Sequence, residues 1–120
     1  MDNIIIVRGT PYDQGVAQGK ALAQVIQSSV NSVKDKIAKD KVDIPLYEAF
    51  VERNTSFMEK NHFHLMEEMR GIADGSGICL KDILMLNIPA YFMTQYFNQE
   101  CSMILARGKA TADGCTYLIK

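Results

Sequence analysis

Three thiols and two imidazoles are the side chains of this 120-residue chain best suited to nucleophilic or metal chemistry. Cys101 stands in Gln99-Glu100-Cys101-Ser102-Met103-Ile104-Leu105, where a helical stretch gives way to a β-hairpin. A thiol at the head of a strand is better placed for chemistry than one inside an apolar helix. Peptide thiols titrate near about 8.5, so a few per cent is thiolate at neutral pH, and thiolates are strong nucleophiles. The competing reading is a small buried hydrophobe, the commoner fate of a lone cysteine in an apolar strand. Cys115 also begins a strand, but the Asp113-Gly114 turn before it accounts for its place by hairpin geometry. Cys79 falls between two helices and reads as packing. His62 and His64 are two apart in a helical segment, so they point to different faces and lack the spacing of three or four that a metal pair uses. No metal or cofactor is expected.

The elements that would position Cys101 follow from periodicity. Ile4 to Val7 is a β-branched run expected to form a short buried strand. Thr10, Pro11 and Asp13 open a helix as cap, first-turn residue and early acid. Leu22, Ile26, Val30, Val33 and Ile37 form its apolar stripe, while Gly15, Gly19 and Ala23 make a second face of small residues. Glycine inside a helix costs roughly 1 kcal/mol relative to alanine, which only a close-packed neighbour offsets. Lys34-Asp35-Lys36 and Lys39-Asp40-Lys41 read as a solvated end.

Asp43 and Pro45 start a second helix whose buried side comprises Tyr47, Phe50, Val51, Met58, Leu65, Met69 and Ile72. Its length through Arg70 calls for a kink near Asn54-Thr55-Ser56, and Asp74-Gly75-Ser76-Gly77 ends it. A third helix is expected from Leu80 to Tyr96, with Tyr91, Phe92, Tyr96 and Phe97 read as core that could also wall a pocket. The seven methionines, Met66, Met69, Met85 and Met93 among them, read as core filler. Strands follow at Cys101–Arg107 and Cys115–Ile119, joined by a turn at Ala112-Asp113-Gly114. The fold class is therefore α+β, with a mostly helical part at 1–100 and a hairpin at 101–120. One hairpin is marginal by itself in water. Either the polypeptide continues past Lys120 or another chain completes the sheet.

Composition excludes several function classes. Apolar residues make up 48% and charged residues 22%, with a net charge of −1, so nucleic acid and acidic membranes are not expected partners. No run approaches the roughly 18 apolar residues of a membrane span, and Met1-Asp2-Asn3-Ile4 lacks the basic start of a secretory signal. Three irregularly spaced cysteines read as free thiols, as in the cytoplasm.

Three motifs then carry a resemblance. Gly9-Thr10-Pro11-Tyr12-Asp13-Gln14-Gly15 with Gln18-Gly19, then Glu67-Glu68-Met69-Arg70-Gly71-Ile72-Ala73-Asp74-Gly75-Ser76-Gly77 with Leu80 to Asn87, and finally Glu100-Cys101-Ser102 with Gly108 to Thr111 and Asp113-Gly114, occur in order. Together they resemble the N-terminal portion of the acyl-coenzyme A:isopenicillin N acyltransferase-like family, self-processing C45 cysteine N-terminal nucleophile hydrolases. The resemblance implies an αββα fold, with residues 1–100 as a small subunit and a larger subunit from the remainder of the same polypeptide. It implies that Cys101 attacks the Glu100 carbonyl and forms a thioester by acyl shift. Water then releases a chain that begins with Cys101. The new α-amine, with a pKa of roughly 7.7–8, would act as base for the thiol in turnover of an amide or acyl-thioester substrate. Family members continue beyond the second strand into residues that hold substrate and stabilise an oxyanion, where each donor is worth about 2.7–4 kcal/mol; these 120 residues contain no such stretch.

The leading expectation is thus the N-terminal part of a self-processing cysteine acyltransferase or amidohydrolase acting through an acyl-enzyme on Cys101. The alternatives are a non-catalytic helical module that binds an apolar ligand or partner helix, and an inactive truncated precursor.

Overall fold

The computed structural model describes residues 4–89 and 103–119. Four helices precede a two-stranded antiparallel sheet: α1 (Pro11–Lys39), α2 (Ile44–Asn61), α3 (Phe63–Ser76), α4 (Leu80–Asn87), β1 (Ile104–Gly108) and β2 (Gly114–Ile119). The class is α+β.

α1 starts where its capping chemistry directs. The Asp13 backbone N–H donates to Thr10 Oγ1 at 3.2 Å, and Asp13 Oδ2 accepts from the Thr10 backbone N–H at 3.0 Å, completing a capping box around Pro11. The Thr10 donors hold the Asp13 carboxyl below its usual range. Ile4 to Val7 forms no strand: Ile4 is 77% exposed, Ile6 76%, and neither pairs with β1 or β2. β-branched composition favours extended backbone, but a strand exists only where a neighbour takes its N–H and C=O groups.

The centre of the molecule is the contact of α1 with α3. Gly15 and Gly19 on α1 meet Gly71 and Gly75 on α3, backbone against backbone. A Cβ on Gly15 would collide with the Glu68 carbonyl and lie 2.9 Å from the Ile72 nitrogen. One on Gly71 would strike the Tyr12 carbonyl and come within 2.9 Å of the Val16 nitrogen. The small-residue face read from Gly15 and Gly19 is therefore a close helix crossing. Its other half, Gly71 and Gly75, belongs to the segment expected to end a helix. Gly77 alone performs that ending, with φ 71° and its N–H on the Ala73 carbonyl at 2.9 Å.

Around this contact lies a core of Val30, Met66, Met69, Ala73, Ile83, Leu84 and Met85, with Val30, Met66 and Ile83 fully buried. The α1 stripe faces it through Ile26, Val30, Val33 and Ile37. Burial of a side chain such as Met66 contributes about 1.5–3 kcal/mol. Leu65, expected inside, is 39% exposed, because the turn of α3 that reaches the core presents Met66 instead.

The long second helix breaks at His62, with φ −139° and ψ 46°, and not near Asn54 to Ser56. Asn54 Nδ2 donates to the Phe50 carbonyl one turn back at 2.8 Å, so that residue sits inside an intact helix. The break frees α3 to aim Gly71 and Gly75 at α1. Arg70 reaches back across it to Glu59, pairs with Glu67 at 2.7 Å, and lies 5.7 Å from the Phe63 ring centroid.

α4 ends at Asn87, well before Tyr96. Pro89 explains this, since the residue before a proline is driven out of helical geometry, and Ile88 has φ −123° and ψ 66°. Residues 90–96, the rest of the expected third helix, lie outside the described residues. In the hairpin, Leu105 pairs with Leu118 and Ala106 with Tyr117, close to the expected strands.

The crossing generates a test at Gly71 of α3. Gly71→Ala should destabilise the fold by about 1–3 kcal/mol through overpacking, despite alanine's helix preference of about 1 kcal/mol. Urea denaturation that finds Gly71→Ala as stable as the parent would remove the close crossing from this description.

Candidate functional site

Cys101 and Glu100, the two residues of the expected self-cleavage bond, lie outside the described residues, as do Tyr91, Phe92, Met93, Tyr96 and Phe97. The structure describes what flanks them. Upstream, α4 is fixed at its C-terminal end by Tyr47, whose hydroxyl donates to the Ile88 carbonyl at 2.8 Å and lies 3.3 Å from the Met85 carbonyl. Tyr47 is 5% exposed, and burial pushes its phenol up to about 12. It therefore remains a neutral donor throughout the ordinary pH range. Two ion pairs hold α4 at its sides: Lys34 of α1 with Asp82 at 2.8 Å, and Lys81 with Glu48 of α2 at 2.6 Å. Lys34, read as part of a solvated end, thus ties α1 to α4. The Asp82 carboxyl is held below its usual range first by Lys34, against the opposing effect of burial.

Downstream, β1 begins at Ile104, three residues past Cys101. Side chains alternate across a strand, and directly paired residues share a face. One face of the hairpin carries Ile104, Ala106 and Tyr117, and the other carries Leu105 and Leu118. Both are bare: Ile104 is 62% exposed, Leu105 65% and Leu118 67%. The turn is self-contained. Asp113 accepts from the Cys115 backbone N–H at 3.0 Å and from the Tyr117 hydroxyl, donors that lower its pKa. Thr111 Oγ1 lies 2.9 Å from both the Gly108 and Cys115 carbonyls.

The other chemically capable residues are dispersed. Cys115 is exposed at the start of β2, where the hairpin reading put it. Cys79 is also exposed, at the N-cap of α4, which corrects its reading as packing. A helix N-cap faces outward from the core, whatever the polarity of its occupant. His62 occupies the α2–α3 break and His64 the first turn of α3, their ring centroids 6.4 Å apart. Among the described residues no group of three or more His, Cys, Asp and Glu is arranged to hold a metal ion.

One feature escaped the sequence reading. An apolar groove of about 890 Å³ lies between the end of α1, α2 and α4, lined by Ile37, Val42, Val51, Leu80, Leu84 and Met85 among others. Its signal was present as helical spacing, in Lys34, Ile37, Ala38 and Lys41 on one wall and Leu80, Lys81, Leu84 and Met85 on another. Spacing identifies such faces but not which of them meet.

No family model matches the chain. It is similar to Protein dcd1A of Dictyostelium discoideum, with 33% identity over an alignment of 132 positions that covers 91% of this chain. The chain spans only 28% of the length of that relative. Among the described residues no helix is long and apolar enough to cross a membrane.

Tyr47 sets a pH-dependent outcome. A phenol whose folded pKa of about 12 exceeds the ordinary 10.0 contributes stability that is complete below pH 10 and is lost as pH rises through 12. The stability difference between the parent and Tyr47→Phe should therefore be constant from pH 7 to about 9 and shrink between about pH 10 and 12. At neutral pH the variant should lose about 1–3 kcal/mol, since the buried Ile88 carbonyl loses its donor. Urea titrations across that range measure both, and a difference independent of pH would contradict the assignment.

Proposed function

We propose that this chain is the N-terminal part of a self-processing cysteine acyltransferase or amidohydrolase, with Cys101 as nucleophile and Glu100–Cys101 as the bond that is cut. The observation that carries the reading is the hairpin that follows Cys101. A sheet with one solvated side alternates apolar and polar residues, whereas this one exposes large apolar side chains on both faces, Ile104 and Tyr117 on one and Leu105 and Leu118 on the other. Such a sheet belongs between two covering layers, as in the αββα architecture that the resemblance implies. The similarity to a minor fraction of a much longer relative is in keeping with covering layers drawn from further polypeptide. Residues Gly9 to Gly19 and Glu67 to Gly77, the first two motifs, pack directly on each other at the α1–α3 crossing. They act as one unit that holds the helical part together.

The chemistry starts with the Cys101 sulfur adding to the Glu100 carbonyl carbon. The C–N bond to Cys101 breaks as its nitrogen takes a proton, leaving a thioester on sulfur. Water cleaves this, giving a carboxylate on Glu100 and a free amine and thiol on Cys101. The amine then serves as the base that removes the thiol proton when an amide or acyl-thioester substrate arrives. The thiolate adds to the substrate carbonyl, and the amine or thiol leaving group departs with the proton taken by the α-amine. The resulting acyl-enzyme passes its acyl group to water or to an amine, which restores the thiol. The sequence needs no metal and no separate histidine. A reducing, cytoplasmic setting keeps the nucleophile as a thiol.

Mass spectrometry of the full gene product tests the reading. Two fragments, the second beginning with Cys101, should together equal the precursor plus one water. Cys101→Ala should yield a single uncut chain without amide hydrolysis. Processing and hydrolysis that both survive Cys101→Ala end the proposal. The second reading, a helical module that binds an apolar ligand, draws its support from the α1–α2–α4 groove. Thiol labelling separates the two: Cys101 should react well ahead of Cys79 and Cys115 if it is the nucleophile, and no faster than they do if it is not.

A further inference from the structure

The groove between α1, α2 and α4 has a shape and a charge pattern that specify an occupant. Its walls are mostly aliphatic, formed by Ile37, Val42, Val51, Leu80, Leu84 and Met85, with Tyr47 as the one aromatic lining residue and Thr55 and Ser56 at the far end of α2. It follows α2 from Ile44 to Ser56, a run of about 18 Å at 1.5 Å per helical residue. Its volume, about 890 Å³, lies within the range of small-molecule sites. The rim is mostly self-satisfied, since Lys34 pairs with Asp82 and Lys81 with Glu48. Lys41 differs. It lines the groove beside Val42 and Ile44, at the end where α1 gives way to α2, and has no ion-pair partner among the described residues. Its backbone is held at φ 51° by N–H bonds from Lys41 to the Ala38 carbonyl and from Val42 to the Ile37 carbonyl, both 3.2 Å. Lys41 thus lines one end of an elongated, mostly apolar trough from a turn fixed by its own backbone. Glu52, also without an ion pair among the described residues, stands eight residues into α2, about 12 Å along its axis from Ile44 and away from that end.

We propose that this groove binds a long-chain aliphatic carboxylate, with its hydrocarbon tail along α2 and its head at Lys41. The assignment is independent of the role of Cys101. The aliphatic lining favours a flexible chain over a flat aromatic ring, and the single unpaired cation at one end selects an anionic head. No covalent step is involved. Binding releases water from apolar walls that α2 and α4 leave uncovered between them.

The test uses the 120-residue chain with three probes of equal chain length, tetradecanoate, tetradecanol and tetradecylamine, each below its micellar concentration. Calorimetric titration and amide NMR shifts along α2 and α4 provide the readouts. Tetradecanoate should bind saturably and more tightly than the alcohol or the amine. Lys41→Ala should remove that preference, weakening tetradecanoate by up to about fivefold, the scale of an exposed charge pair. Ala38→Phe, which places a ring in the cavity, should weaken all three probes by about tenfold or more while leaving thermal unfolding cooperative. Val51→Phe provides the same readout should Ala38→Phe fail to fold. No saturable binding, equal or stronger binding of the amine, or binding that survives the filled cavity would each overturn the proposal. So would dimerisation that shifts these same amides, or their protection by further chain in a longer gene product, because either assigns the groove to another occupant.

Discussion

Everything in the helical part depends on how closely two backbones can approach. Gly15 and Gly19 on α1 and Gly71 and Gly75 on α3 remove the side chains that would keep the helices apart, and peptide groups of one helix fill the space beside the other. Each glycine costs a helix roughly 1 kcal/mol relative to alanine. The cost is tolerated because the approach brings Val30, Met66, Met69 and Ala73 into one continuous core. Tyr12 and Asp74, hydrogen-bonded at 2.6 Å between the same two helices, add a polar contact to it.

The crossing dictates the path of the rest of the chain. α3 can lie against α1 only if α2 does not continue straight into it, and the break at His62 supplies the change of direction. α2 is left at an angle to the pair, and α4 closes the far side through Tyr47 and the ion pairs of Asp82 and Lys81. These are contacts at points. Between them lies the groove, lined by apolar side chains of both α2 and α4.

The residues of the family-like motifs divide by physical role. Those in the first two motifs cap α1, form the glycine crossing and end α3 at Gly77, so they are accounted for by backbone geometry. The third motif is different in kind. Its glycines and Asp113 build a tight hairpin that stabilises itself through its own turn, yet its strand residues remain exposed on both sides. A hairpin with that composition is favourable as an inner layer and costly as a surface.

Local features were legible in the residues themselves: the Thr10–Asp13 capping box, the Asp43 cap, the Gly77 ending, the α1 stripe and the presence of a hairpin. Each depends on groups within a few residues of one another, so composition and spacing suffice. Pro89 was equally local, and its effect on Ile88 could have been read in the same way. Long-range features were not. That Ile4 to Val7 finds no pairing partner among the described residues, that Gly75 meets Val16, that Lys34 reaches Asp82, and that three helix faces enclose a groove depend on residues far apart in the chain. Periodicity reveals that a face exists, but only the packing of whole helices selects its partner, because many pairings satisfy the same pattern and one satisfies the backbone distances.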